Sequence, residues 1–453
     1  MSKSSNLTEG NVLSTLLHFT YPILLTLLLQ TAYGTVDLLV VGHFSGTSDV
    51  SGVTIGSQLM QTTTAFFTGL AMGTTILIGQ YIGAEKKHEA SKVIGASIIM
   101  FSGLALLVSS LLVFFRGAIA TLMQTPVESF SQTTSYLLIC GFGAIFIVFY
   151  NLLGSIFRGI GDSKTPLITV SIACGVNIIL DLVFVALLNL GASGAALATT
   201  IAQAISVLLS LIIIRKRPLP FEFSKKDITF NLSYITRIIQ LGIPIALQSV
   251  LVSVSFLFIT AIVNGFGVVA SAAVGICEKI TGLIMMVPSA FMQALSAFSA
   301  QNFGANRNDR AKKALKYGIL ISLCFGFVMA YLAAFHGTIF TRLFTSDADT
   351  TTSALSYLKS YSIDTVFVAI MFSMSGYFNG CGKTKFVMLH SVGSAFLIRI
   401  PLAYLFSTLP NTSLFIIGLA TPASTSVQII LCIFYFMHFQ KSLQSHKVHS
   451  ISA

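Results

Sequence analysis

The chain has 453 residues, of which 54% are hydrophobic and only 9% are charged, where a soluble domain carries about 25% charged residues. So few charges cannot cover the surface of a water-soluble particle of 48.5 kDa, which excludes a soluble enzyme. The net charge of +11 would suggest a nucleic-acid partner in a soluble protein; here it points to basic loops on one side of a membrane, and no nucleic acid is expected.

After a polar start, Met1 to Asn11, the first apolar run covers 14–41. It is too long for a signal-peptide core and lacks a convincing cleavage site, so it reads as a retained first span. Runs at 53–80, 93–115, 134–157, 166–189 and 192–214 follow. A linker from Arg215 to Ser233 holds two prolines and much of the charge. Six more runs lie at 238–264, 274–300, 314–335, 355–378, 386–408 and 414–438. A membrane helix uses about 20 apolar residues, and these runs are continuous rather than the alternating segments of about ten residues of a barrel. The expected fold is an all-α integral membrane protein with twelve transmembrane helices.

Orientation follows from Lys and Arg. With the N-terminus inside, the inner loops hold Lys3, then Lys86, Lys87 and Lys92, then Arg158 and Lys164. They continue with Arg215, Lys216, Arg217, Lys225, Lys226 and Arg237, and with Arg307, Arg310, Lys312, Lys313 and Lys316. Lys383, Lys385, Lys441 and Lys447 complete the set. Only Arg116, Lys279, Arg342, Lys359 and Arg399 fall elsewhere. Both termini are therefore expected in the cytoplasm. The six cysteines are scattered without a CxxC, so neither a disulfide framework nor a cysteine metal site is expected.

An internal repeat is visible. Gln80-Tyr81-Ile82-Gly83-Ala84 resembles Gln301-Asn302-Phe303-Gly304-Ala305, and Arg158-Gly159-Ile160-Gly161 resembles Asn379-Gly380-Cys381-Gly382, both at an offset of 221 residues. Tyr21-Pro22-Ile23 resembles Ile243-Pro244-Ile245 at an offset of 222. Each half thus holds six spans, and an even number makes both halves enter from the same side. The expected organisation is an N-terminal six-helix lobe with the linker start (1–220) and a C-terminal six-helix lobe with a short cytoplasmic tail (221–453). Two parallel lobes related by a pseudo-two-fold axis along the membrane normal suit alternating access.

Gly380-Cys381-Gly382-Lys383-Thr384 ends like a phosphate loop, but the glycine required at 377 is Tyr377. It reads as a tight turn, as does Gly159-Ile160-Gly161. With no nucleotide motif, no enzymatic cluster and no cofactor expected, energy must come from an ion gradient or from the substrate's own gradient.

Charges inside a membrane usually mark an ion or substrate path. The candidates are Asp37, Asp181, Asp364, Glu278, Lys279 and Arg399. Asn177 lies one helical turn before Asp181, Asn151 is in the fourth run and Thr199 in the sixth. Together they offer two carboxylates and three neutral oxygens, a hard-oxygen set that suits Na⁺. Two carboxylates forced together at low dielectric also favour sharing a proton, so the set could serve H⁺ or Na⁺. The repeat is an internal control: the shifted positions are Ile259, Phe372, Ile398, Leu402 and Ala420, all apolar. Pro22, fifteen residues before Asp37, bends its helix and is a candidate conformational switch. Gln30 and Tyr33 lie on roughly the face of Asp37 and are substrate candidates. In the second half Asp364, Lys279, Glu278 and Arg399 are cavity candidates, Arg399 being followed by Pro401.

These features together resemble the multidrug and toxic compound extrusion (MATE) transporters over nearly the whole chain. The carrying residues are Pro22 with Asp37, the Gln80 to Ala84 loop with its partner Gln301 to Ala305, and Arg158 to Asp162 after the fourth span. The resemblance implies a cation-coupled antiporter that expels small organic compounds, often cationic or amphipathic; a monomer in the cell (inner) membrane is expected. The resemblance also implies that Asp37, Asn177, Asp181 and Thr199 hold H⁺ or Na⁺, and that Asn151 and Gln30 line the substrate cavity. A second branch of the family carries acidic residues where this chain has Val252 and Val368. A flippase for lipid-linked saccharides, from the same superfamily, is the alternative; it favours additional spans and a cationic cavity.

Overall fold

The computed structural model describes residues 6–216, 219 and 221–451, with the side chains of 445–451 outside that description. Lys3, Arg217, Pro218, Pro220 and the side chain of Lys447 therefore lie outside the described residues. The described residues are mostly helical, with no strand among them. In chain order the first half runs α1 (Val12–Phe44), α2 (Thr47–Gly83), α3 (Lys87–Leu122), α4 (Phe130–Gly159), α5 (Lys164–Asp181) and α6 (Gly191–Lys216). The second runs α7 (Leu232–Asn264), α8 (Val268–Ile284), α9 (Met286–Gly304), α10 (Asn308–Phe335), the short α11 (Thr338–Thr341) and α12 (Ala348–Gly380). It closes with α13 (Thr384–Ser394), α14 (Ile400–Ser407), α15 (Leu414–Gly418) and α16 (Ala420–Ile451).

Among the described residues eleven helical stretches are long and apolar enough to cross a membrane, and twelve if α8 and α9, bent by 43°, form one span. The chain is a multi-pass membrane protein. Large apolar side chains such as Phe114 at 78% and Leu397 at 78% exposure stand outward, as a lipid-facing surface requires.

Prolines explain most departures from straight spans. A proline lacks the N–H that would bond the carbonyl four residues back, and its ring crowds that carbonyl. Pro288 acts in this way on Ile284, where α8 stops, and Pro422 on Gly418, where α15 stops. Pro401 deprives Leu397, inside a π-helical stretch from Ala395 to Arg399. Pro22 is tolerated differently: α1 runs through it unbroken, and its carbonyl accepts from Thr26 Oγ1 at 2.8 Å. Asn11 caps that helix by accepting from Leu13 and Ser14 N–H, satisfying two of the orphan donors of its first turn.

Packing divides the chain into two compact units. The first comprises Met1–Ser249, Ser296–Ala311 and Asn379–Gly382, and the second Val250–Leu295, Lys312–Phe378 and Lys383–Ala453. The first unit centres on Phe67, Leu70, Phe101, Leu152 and Phe157, with a further cluster of Val41, Val53, Met60, Tyr136 and Val185. The second centres on Val263, Val274, Tyr357, Leu358 and Ile417.

Within the first unit α2 and the start of α7 touch backbone to backbone. A Cβ on Gly242 would lie 2.3 Å from the Leu70 carbonyl oxygen, and one on Gly73 would lie 2.5 Å from that of Ile238. Small residues at such crossings replace the hydrophobic drive that lipid removes. Gly242→Ala is expected to destabilise the protein by about 1–3 kcal/mol, the range for overpacking. Gly282→Ala, where a Cβ meets nothing within 4 Å, should cost nothing; thermal unfolding of the two variants in one detergent checks the contrast.

Candidate functional site

Three helices of the first unit carry the acidic pocket. α1 contributes Asp37 (7% exposed), α5 contributes Asn177 (1%) and Asp181 (0%), and α6 contributes Thr199. Thr199 Oγ1 donates to Asp37 Oδ2 at 3.0 Å. Asn177 and Asp181 lie within hydrogen-bonding reach of Asp37, yet among the described residues no bond of good geometry reaches the Asn177 carboxamide, either Asp181 oxygen or Asp37 Oδ1. Unpaired buried polar groups are expensive, and buried polar groups are normally satisfied. Two carboxylates and a carboxamide that face one another with open valences are a donor set for a small hard cation, or for a proton shared between oxygens.

Asp181 is the last residue before a π-helical stretch from Leu182 to Leu187. Such bulges recur at functional sites because they leave helix carbonyls without their usual partners. Beside the pocket is a cavity of about 20 Å³ walled by Tyr33, Tyr150, Asn177, Thr199, Gln203 and Ser206, room for about one water. Gln203 Oε1 and Ser206 Oγ have no partner either. Sequence reasoning missed both. They lie four and seven residues after Thr199 on α6, one and two turns along its face, so the spacing was the available signal. Uncharged polar residues in a helix rich in alanine and serine read first as packing.

Gln30 and Tyr33 lie earlier on α1. Gln30 Nε2 donates to the hydroxyl of Tyr150 in a short bond, and Tyr33 lines the cavity directly. Asn151 bonds to other groups: its Oδ1 accepts from Thr68 Oγ1 at 2.7 Å and its Nδ2 donates to the Ile147 carbonyl at 2.9 Å. Its carboxamide oxygen is already engaged at the junction of α2 and α4.

In the second unit Asp364 (3% exposed) and Arg399 (5%) are buried. Arg399 Nη1 donates to Ser255 Oγ at 3.0 Å, and its guanidinium stacks over Phe256 with Cζ 4.4 Å from the ring centre. Arg399 Nε and Asp364 Oδ1 have no partner, and no ion pair joins the two among the described residues. Glu278 and Lys279 are exposed on α8, where Glu278 Oε1 accepts from Thr260 Oγ1 at 3.1 Å. Among the described residues no cluster of His, Cys, Asp or Glu has the size for a transition-metal site, and none of the six cysteines forms a disulfide.

Comparison with known proteins matches the MatE family profile to residues 22–183 and 244–405, one copy in each half. The chain is 26% identical over 406 residues to the "Probable multidrug resistance protein YpnP" of Bacillus subtilis, covering 89% of this chain and 91% of that one. It is 24% identical over 403 residues to the "Multidrug export protein MepA" of Staphylococcus haemolyticus, covering 88% of each. Among solved structures, a multidrug resistance MATE family transporter of the MOP superfamily in an outward-facing conformation superposes with a TM-score of 0.92 at 20% identity, covering 98% of this chain and 99% of that one. A MOP superfamily transporter from Pyrococcus furiosus also superposes with a TM-score of 0.92 at 20% identity, covering 98% and 99%.

Proposed function

The chain belongs to the MatE family of membrane transporters, and from that premise we propose that it is a secondary active multidrug efflux antiporter, exchanging small organic compounds for H⁺ or Na⁺ by alternating access. The observation that carries the coupling half of this reading is the pocket of Asp37, Asn177, Asp181 and Thr199, buried and mostly without internal partners. The names of the relatives support the substrate half. The flippase alternative has no such support.

In this mechanism Asp37 and Asp181 repel one another until a cation or proton bridges them. Filling the pocket draws α1 toward α5 and α6, and Pro22 is where α1 can bend, since one of its backbone bonds is already missing. Tyr33 and Gln30 lie one and two turns before Asp37 and move with it. The bond from Gln30 to Tyr150 and the cavity wall at Tyr33 are then rearranged, and the substrate loses its seat. Asn151, held by Thr68 and the Ile147 carbonyl, serves the substrate as a fixed polar group on α4. Asp364, Lys279, Glu278 and Arg399 are the groups of the second unit proposed to meet the substrate. One elementary charge moving down a membrane potential supplies about 2.3 kcal/mol per 100 mV, before any concentration gradient is counted. The protein sits in the cytoplasmic membrane as a monomer with both termini in the cytoplasm.

The test is cellular. Expression is expected to lower the steady-state accumulation of a fluorescent organic cation several-fold, and an ionophore that collapses the coupling gradient is expected to restore it. Accumulation equal to that of cells lacking the protein, with the protein present in the membrane, contradicts the reading.

A further inference from the structure

The repeated motifs have a structural role that the ion pocket does not use. Gln80 Nε2 donates to the carbonyl of Gly380 at 3.1 Å, and Gln301 Nε2 donates to that of Gly159 at 2.9 Å. The offset of 221 residues that converts Gln80 into Gln301 also converts Gly159 into Gly380. The two bonds are therefore one interaction made twice, each running from one half of the sequence to the other. Between them α2 and α9 cross at their ends. A Cβ on Gly83 would lie 1.9 Å from the Gln301 carbonyl oxygen, and one on Gly304 would lie 2.0 Å from that of Gln80. Gly83 and Gly304 are related by the same offset, so only glycine lets the two backbones meet.

A strap covers this crossing. Leu7 is fully buried, and its carbonyl accepts from Asn302 Nδ2 at 3.1 Å and from Arg310 Nε at 3.2 Å. The Thr8 carbonyl accepts from Arg307 Nη1 at 2.6 Å, and that of Gly10 from Arg310 Nη1 at 2.6 Å. The linker ahead of α7 mirrors this arrangement on α3, where a Cβ on Gly95 would lie 1.9 Å from the Asp227 carbonyl oxygen. Each half's leading segment thus docks on the other half. All of these residues fall within the first compact unit, and they are the reason two short pieces of the second half, Ser296–Ala311 and Asn379–Gly382, are grouped with it.

We propose that this reciprocal clamp, with Gln80 and Gln301 as its latches, is the closed cytoplasmic gate of the transport cycle. The inference rests on the transporter reading and on the topology that places these basic loops in the cytoplasm. The chemistry suits a reversible closure. A neutral amide bonded to a backbone carbonyl exchanges for bonds to water on opening at small net cost. Static packing alone would not need side-chain amides aimed at the partner's glycine carbonyls in both copies.

Cys381 is a natural reporter: it adjoins Gly380 and is buried at 4% exposure. With Cys381 as the sole cysteine, a membrane-impermeant maleimide is applied to inside-out and right-side-out vesicles. Gln80→Leu combined with Gln301→Leu keeps side-chain volume and removes both latches; Gly83→Ala wedges the crossing by steric means instead. Each variant, confirmed as folded by gel filtration in detergent, is expected to label at least tenfold faster than its parent from the cytoplasmic face and at the parent's rate from the other face. An unchanged cytoplasmic rate in both overturns the gate. The readout needs neither ion nor drug. Faster labelling in a protein that exports no dye therefore upholds the gate and counts against the proposed function alone.

Discussion

Asp37→Asn and Asp181→Asn, each correctly inserted, are expected to lose uphill export, with rates falling at least a hundredfold toward those of protein-free vesicles. Each substitution keeps the shape of the side chain and removes the charge that a coupling cation or proton answers. Among the described residues the pocket holds one well-formed internal hydrogen bond, from Thr199 to Asp37 Oδ2, and leaves Asp37 Oδ1, both Asp181 oxygens and the Asn177 carboxamide without a bond of good geometry. A cation there gains several charge-assisted contacts at once, each worth more than a neutral hydrogen bond. An amide at either acidic position removes a full unit of charge from a buried site, where electrostatic effects are larger than in water. Binding of the drug itself should survive in both variants. A neutral mutant that binds no drug would instead show that the carboxylates contact the substrate. The measurement is drug efflux from proteoliposomes under an imposed gradient, alongside equilibrium binding of the same drug.

The second large effect is on stability. Arg399→Met is expected to destabilise the protein by about 3 kcal/mol, the lower end of the cost of removing one partner from a buried charge pair. The lower end applies because no ion pair joins Arg399 to Asp364, so the two compensate each other across a gap. The variant also loses the bond to Ser255 Oγ and the stacking on Phe256. Adding Asp364→Asn removes the charge left behind and should recover more than half of the loss. Strict additivity of the two substitutions, which distant independent sites show, would mean that the groups do not interact. Thermal unfolding of the single and double variants in one detergent decides this.

The spans were legible in the sequence because a run of about 20 apolar residues has few other fates. Every one of the twelve runs corresponds to described helix, from 14–41 inside α1 to 414–438 across α15 and α16. What the runs could not reveal is where a span breaks. The run 274–300 reads as continuous, yet α8 ends at Ile284 because Pro288 takes away that carbonyl's partner. Nor does the run 386–408 show that the chain answers Pro401 with a wider π-helical stretch that ends on Arg399.

The candidate site was legible to a similar degree. Asp37 and Asp181 stand out because charge inside an apolar run is costly, and the structure brings them together with Asn177 and Thr199. Asn151 looked equivalent by residue type. Its position on α4 gives it Thr68 and the Ile147 carbonyl instead, a choice set by tertiary packing that no spacing encodes. Gln80 and Gln301 were visible only as a repeat, since a glutamine bonded to a carbonyl some 142 or 300 residues away in the chain leaves no local pattern.

The central claim is that occupation of the Asp37–Asp181 pocket by a small positive ion drives export. It is tested most directly by reconstituting the purified protein and imposing Na⁺ and pH gradients separately while drug flux is recorded. The account predicts that one of the two gradients drives the drug uphill in the wild type and neither does so in Asp37→Asn or Asp181→Asn. Uphill flux that persists in both variants, or a wild type that responds to neither gradient, would contradict it.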